Sequence, residues 1–129
     1  MLARSDKGGS GLGCCAVQPL PANPFGSGAF ELKRMFVMAS SRRHGVGTAL
    51  GVAALTYARR QGGSSMFLET GIRQPEAVRV YTRLGFQRIA PFPPYLDDPF
   101  ALCFQLDLAL ADHEEGTSAR LELVLGDDI

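Results

Sequence analysis

At 129 residues, with 46% hydrophobic and 20% charged side chains and a formal net charge of zero, the chain has the composition of one soluble globular domain. The charge is uneven: residues 31–88 carry ten Lys/Arg against three Asp/Glu, and residues 89–129 carry one against nine. A basic middle without interleaved exposed aromatics suits a polyanionic cofactor better than nucleic acid, and an acidic end suits a cationic substrate or none.

Met1–Arg4 reads as a short stub, the end of a strand, and Ser5–Gly11 as a polar, glycine-bearing turn. Leu12–Leu20 reads as a second strand, ending where Pro19 and Pro21 forbid ladder donation; Leu2–Arg4 and Cys14–Val17 would form a hairpin. Cys14 and Cys15 are adjacent in that strand, so their side chains point to opposite faces. Pro21–Ala29 is a connection, and Glu31–Val37 a third strand. A helix is expected over Gly47–Gln61, with Val46, Leu50, Ala53, Ala54 and Tyr57 at helical spacing and Arg59, Arg60, Gly62 and Gly63 marking its end. Met66–Thr70 is the next strand. A helix over Gln74–Leu84 follows, bounded by Pro75 and Gly85, with Val78, Val80, Tyr81 and Leu84 apolar. Phe86–Ala90 and Ala101–Leu108 read as strands on either side of a stiff, four-proline loop, Pro91–Phe100. This divides the chain into a domain at residues 1–108 and a tail at 109–129. Within the tail Ala111–Thr117 reads as flexible, and Ala119–Leu125 has strand character and is expected to be disordered, to add to an edge, or to cover the apolar Cys14–Val17 strand unless a second protomer does so. The fold class is α/β, a mixed twisted sheet with packed helices.

Three cysteines with no C-x-x-C pair and only two histidines give neither a disulfide framework nor zinc spacing. Reduced thiols, no apolar signal core and no run of membrane-spanning length lead to the expectation of a cytoplasmic or nuclear protein without a metal.

The chemistry concentrates where the third strand meets the first long helix. Helix first turns offer backbone N–H groups without partners and the positive end of the dipole. Gly45 and Gly47 let backbone approach a ligand closely, and Arg42, Arg43 and His44 add charge just ahead. A phosphate or diphosphate is the natural guest. No lysine separates Gly47 from Thr48, so a P-loop is excluded. Gly45-x-Gly47-x-x-x-Gly51 with Glu69 downstream approaches a dinucleotide fingerprint, but polar and basic residues intervene after the apolar strand.

Arg42-x-x-Gly45-x-Gly47, opening a helix after a strand, resembles the coenzyme A diphosphate loop of the GNAT N-acetyltransferases. The run Gln74-Pro-Glu-Ala77-Val-Arg-Val-Tyr81-Thr-Arg-Leu-Gly85-Phe86 resembles the family's later signature, an Asn-x-x-Ala-x-x-x-Tyr helix closing in Gly-Phe, with Gln74 in the Asn place. The resemblance covers roughly Leu12 to Leu108. It implies a GNAT fold lacking the family's first strand and helices, and transfer of acetyl from acetyl-coenzyme A directly to an amine of a small molecule or peptide. Arg42, Arg43, His44, Gly45, Val46, Gly47 and Thr48 would then hold the diphosphate. Met35, Phe36 and Val37 would pair with the pantetheine arm, and Gln74 would stand at an uncertain reach from the cofactor.

Tyr81 is the implied general acid, a phenol protonated at neutral pH that can supply the departing thiolate. Glu31 is the candidate general base, with Glu69 a weaker competitor. Tyr95, Asp97 and Asp98 are candidates for an acceptor mouth that attracts a cationic amine. Two readings of function follow: an acetyltransferase, whose acceptor wall a dimer partner would complete, and a non-catalytic coenzyme A-binding module.

Overall fold

Among the described residues seven strands make one sheet, and both long helices lie on the same face of it. A computed structural model describes residues 2–5, 11–20, 24–41, 45–109 and 121–124. The strands are β1 (Leu2–Ser5), β2 (Gly11–Pro19), β3 (Ala29–Val37), β4 (Ser65–Gly71), β5 (Gln87–Ile89), β6 (Ala101–Asp107) and β7 (Leu121–Val124). The helices are α1 (Val46–Arg60) and α2 (Pro75–Leu84), and a 3₁₀ turn at Ala39–Ser41 follows β3. The strand order is β5-β6-β4-β3-β2-β1-β7. Only β3 and β4 run parallel, joined by the α1 crossover; the other neighbours are antiparallel. The mixed α/β architecture expected from the sequence is the one found.

Helix α1 starts at Gly45, in the left-handed region at φ 81°, and ends in a Schellman turn. Gly63 N–H bonds Ala58 O at 2.8 Å, and Gly62 N–H bonds Arg59 O at 3.0 Å, with Gly62 at φ 83°. Its buried set is wider than one stripe: Val46, Ala49, Leu50, Gly51, Val52, Ala54, Leu55 and Ala58 are all buried, while Ala53 and Tyr57 are half-buried. The reason is that α1 is covered twice, by the sheet and by α2. At Gly51 an added Cβ would stand 2.4 Å from Leu84 Cδ1, so the two helices meet there without room for a side chain. Helix α2 closes the same way, with Phe86 N–H on Tyr81 O at 3.0 Å and Gly85 at φ 106°.

Alternation sorts the strands into two faces. Phe30, Leu32, Met66, Leu68, Phe104 and Leu106 join α1 and α2 in the main core. Ala29, Phe67 and Cys103 point the other way, where Leu20 and Phe92 cover them from loops. Phe25 stacks on Phe67 at 4.1 Å between ring centroids, and Phe92 meets Phe67 edge-on at 5.7 Å.

The hairpin differs from its expected register. Leu2 pairs with Cys14, Ala3 with Gly13 and Arg4 with Gly11, so Ala16 and Val17 have no partner on β1. Strand β7 pairs with the other edge of β1, Leu2 opposite Val124 and Ser5 opposite Leu121. Cys15 is fully buried in the main core and Cys14 lies on the opposite side, half-buried; none of the three cysteines is in a disulfide.

Gly13 is the tight point between sheet and α1. A Cβ there would lie 2.6 Å from Phe36 O and 3.2 Å from both Leu50 Cδ1 and Val46 Cγ1. Backbone of a paired strand cannot swing aside as a side-chain end can, so Gly13→Ala should cost about 1–3 kcal/mol, read as a lower denaturant midpoint. Burial also pushes the Cys15 thiol up to about 11. The folded state therefore keeps its proton where the unfolded chain, with an ordinary thiol near about 8.5, has lost it. The sign is a stability fully present below about pH 8.5 and lost progressively as the pH rises to about 11. Cys15→Ala should flatten that part of the stability–pH curve, measured by urea unfolding from pH 8 upward.

Candidate functional site

The site begins with a pairing that stops. Strands β3 and β4 are in register from Ala29 opposite Ser65 to Leu32 opposite Leu68, and no further. Beyond that point β4 stays with β6 as far as Gly71, and β3 stays with β2 as far as Val37. The two parallel strands thus part, and the edge of β3 from Lys33 to Val37 that would face β4 carries no ladder.

A bulge in β3 accompanies the opening. Cys14 pairs with Phe36 but Ala16 with Lys33, so β3 has one residue more than β2 across this stretch. Arg34 takes the strain at φ 57°, a left-handed conformation that costs a non-glycine residue about 1–2 kcal/mol. The extra residue flips the side-chain parity. Phe30 and Leu32 face the helices before the bulge; Met35 and Val37 face them after it. Phe36 is left half-exposed at 51%.

A cleft of about 960 Å³ fills the opening on the helix side. Met35, Phe36 and Val37 form one wall, Gly45 to Thr48 its end, and Gln74, Ala77, Val80 and Tyr81 the other wall. The cofactor candidates Met35, Phe36, Val37, Gly45, Val46, Gly47, Thr48 and Gln74 thus line one cleft, while Arg42, Arg43 and His44 lie outside the described residues. Ala49 N–H bonds Gly45 O at 3.0 Å, so the N–H groups of Val46, Gly47 and Thr48 remain without an intrahelical acceptor. No side chain caps them. At Gly47 a Cβ would sit at 3.7 Å from Val37 Cγ2 and Val80 Cγ2, an ordinary contact. The protein itself has room for alanine there, so it is the cleft that a glycine keeps open.

Tyr81 is 5% exposed, its ring packed at 5.8 Å from Phe86 and 6.4 Å from Phe104. Its hydroxyl has no hydrogen-bond partner among the described residues, and its side chain lines the cleft. Burial raises its pKa, helped by the nearby Cys15 and Glu69 groups, so the phenol is firmly protonated at neutral pH.

The other sheet face carries the acidic groups. Glu31 is buried at 3% exposure, not the exposed carboxylate that a strand end would give. Tyr95 Oη donates to Glu31 Oε2 at 3.0 Å, and Lys33 Nζ stands 3.9 Å from Oε1. Glu69 is half-buried; burial, then the charges of Asp98 and Glu31, raise its pKa. Asp97 is exposed, while Asp98 Oδ1 accepts from Phe100 N–H at 2.9 Å and so shapes its own loop. Among the described residues no group of His, Cys, Asp and Glu could hold a metal ion, and no helix is long and apolar enough to cross a membrane.

The arginines that line the cleft, Arg73, Arg79 and Arg83, were not singled out from the sequence. Arg79 and Arg83 are four apart on α2, so the spacing that placed Tyr81 on the helix could also have placed these. The Glu31–Tyr95 bond joins residues 64 apart and leaves no local signal.

Comparison with known proteins bears on the family and the fold. The sequence model of the acetyltransferase (GNAT) family matches residues 3–86. An uncharacterized N-acetyltransferase of Schizosaccharomyces pombe is 37% identical over 92 residues, 71% of this chain and 54% of that protein. An IAA acetyltransferase of Azospirillum brasilense is 33% identical over 102 residues, 79% of this chain and 64% of that one. Among solved structures, a candidate acyl-CoA N-acyltransferase of Klebsiella pneumoniae is 32% identical with a TM-score of 0.70, covering 78% of this chain and 66% of the other. The chain spans between half and two-thirds of the length of these relatives.

Proposed function

The chain belongs to the acetyltransferase (GNAT) family, and on that premise we propose that it transfers an acetyl group from acetyl-coenzyme A directly to an amine. The observation that carries this is the unpaired edge of β3 facing the first turn of α1 and Tyr81 across one cleft. Such an edge can take an extended, amide-bearing pantetheine arm as an added strand, through the backbone of Met35, Phe36 and Val37. The N–H groups of Val46, Gly47 and Thr48, at the positive end of α1, suit a diphosphate. Arg42, Arg43 and His44 precede this turn in the sequence and would add charge, and Gln74 offers its amide at the start of α2.

Thioester aminolysis then needs a base for the amine and a proton for the thiolate. Tyr81 supplies the second. A phenol held above its ordinary value of about 10 gives up its proton only as charge builds on sulfur, and the acidic proton on the new amide nitrogen restores it. Glu31 and Glu69 lie on the sheet face from which the acceptor would approach, with Tyr95 and Asp97 towards its mouth. Acidic groups there favour a cationic amine, of a small molecule or a peptide. Cysteines outside any disulfide suit a reducing compartment such as the cytoplasm.

Coenzyme A should raise the melting temperature, because a ligand that binds only the native state stabilises it by mass action, about 2.7 kcal/mol at a hundredfold excess over Kd. Gly47→Glu should remove the shift, since it puts a carboxylate where phosphate would lie. Gly45 is the poorer site for this test, because its φ of 81° strains any other residue. No shift with the unaltered protein would end the coenzyme A reading. A shift without thiol release from acetyl-coenzyme A over an amine panel would leave a binding module in its place.

Tyr81→Phe keeps the packed ring and removes only the acidic proton. Turnover should fall by about 10- to 10³-fold while the coenzyme A shift stays unchanged. Equal turnover in the two proteins would return Tyr81 to a packing role.

A further inference from the structure

Helix α2 turns two different faces to the cleft. Val80 Cγ2 stands 3.7 Å from where a Cβ on Gly47 would be, and Leu84 meets Gly51 one turn further along both helices. The two helices therefore run side by side in the same direction, with the first turn of α1 level with the middle of α2. At about 100° per residue, Tyr81 comes round from Val80 towards the sheet, where it packs near Phe104. Arg79 and Arg83 come round by about 100° and 60° the other way, to the outer lip. Both line the cleft there, and both are exposed.

Nothing in the fold asks for this pair. Arg79 and Arg83 are one turn apart, a like-charge spacing that costs a helix about 0.2–0.5 kcal/mol. Neither has a hydrogen bond or an ion pair among the described residues. Arg59 on α1, by contrast, is tied to Leu108 O at 2.8 Å. With Arg73 the pair puts three guanidinium groups on the described lining against one carboxylate, Glu76. A second observation says that the cleft is built for an occupant. Tyr81 is 5% exposed, and its hydroxyl lines the cleft without a partner among the described residues. A buried hydroxyl left so on the wall of a cleft is completed by what enters it.

The order of these features along the cleft decides what the arginines can read. With the diphosphate on the N–H groups of Val46, Gly47 and Thr48, the pantetheine arm runs inward along the edge of β3. The ribose on the other side of the diphosphate, with its phosphomonoester, must then point outward past the lip that Arg79 and Arg83 form. A phosphomonoester carries nearly two charges at neutral pH, and its oxygens match the fork of a guanidinium.

We propose that Arg79 and Arg83 form a phosphomonoester subsite, separate from the diphosphate turn, through which the protein discriminates coenzyme A from its dephosphorylated form. This rests on the acetyltransferase reading above. Because both side chains are exposed, the discrimination is strongest at low ionic strength and fades with salt.

The test is calorimetric titration of the whole chain with coenzyme A and with dephospho-coenzyme A at low salt. The unaltered protein should bind coenzyme A about 10- to 100-fold more tightly, the range of charge-assisted hydrogen bonds. Arg79→Gln together with Arg83→Gln should bring coenzyme A to the affinity of the dephosphorylated form and leave the latter unchanged. Arg79→Lys together with Arg83→Lys should keep part of the preference. Arg88→Gln, which removes the same charge from β5 outside the cleft, should keep all of it. The melting temperature without ligand checks that each variant is folded, and these exposed side chains give no reason for it to fall. Equal affinities of the unaltered protein for the two ligands, or a preference that survives in the double glutamine variant, overturns the subsite and leaves the acetyltransferase reading standing. Equal loss of both ligands in that variant does the same, since the arginines would then serve the diphosphate. Stabilisation by inorganic phosphate that the variant loses would overturn it in favour of a free-phosphate site. An unaltered protein that binds neither ligand overturns the acetyltransferase reading and this inference with it.

Discussion

The structure depends on a hydrogen-bond ladder that ends early. Two parallel strands at the centre of a sheet would ordinarily pair along their whole length, since each buried backbone group left without a partner is costly. Here β3 and β4 pair over Ala29–Leu32 and Ser65–Leu68 and then follow different neighbours. The outer ladders with β2 and β6 are long enough to hold each strand after the central one stops. The cleft, the unladdered edge of β3 and the meeting of two sheet faces at one point are all consequences of that divergence.

The bulge at Arg34 serves the same end. Its strained backbone would be a net loss in an isolated strand. In this sheet it lets Met35 and Val37 return to the main core after Phe30 and Leu32, so the strand stays anchored while its direction changes. The packing around it has little slack. Gly13 has no space for a Cβ beneath Phe36, and Gly51 has none beside Leu84. Helix α1 is thereby held against β2 and α2, and its first turn is fixed at the end of the opening.

The two sheet faces divide the work. On the helix face the core is continuous and takes in Tyr81, whose ring is packed and whose hydroxyl has no partner among the described residues. On the opposite face a smaller aromatic cluster around Phe67 and Phe92 shelters Glu31 and half-shelters Glu69. A carboxylate can be tolerated there because Tyr95 donates to it and Lys33 stands near. Membership of the acetyltransferase (GNAT) family gives this arrangement its chemical sense.

The order of strands and helices, the α/β class, the glycine-led start of α1 and the place of Tyr81 on α2 were legible in the sequence. Each rests on local rules: alternation along a strand, spacing along a helix, and glycine where the backbone turns left-handed at Gly45, Gly62 and Gly85. Tertiary structure decided what no local rule carries. The wide buried face of α1 came from a second helix lying on it. The bulge moved Phe36 out and Val37 in. The burial of Glu31 came from Tyr95, a residue far along the chain, and Glu69 gained its position from the residue at which a neighbouring strand turns away. Periodicity fixes which side of an element a residue faces; only packing between distant segments fixes what waits on that side, and whether water does.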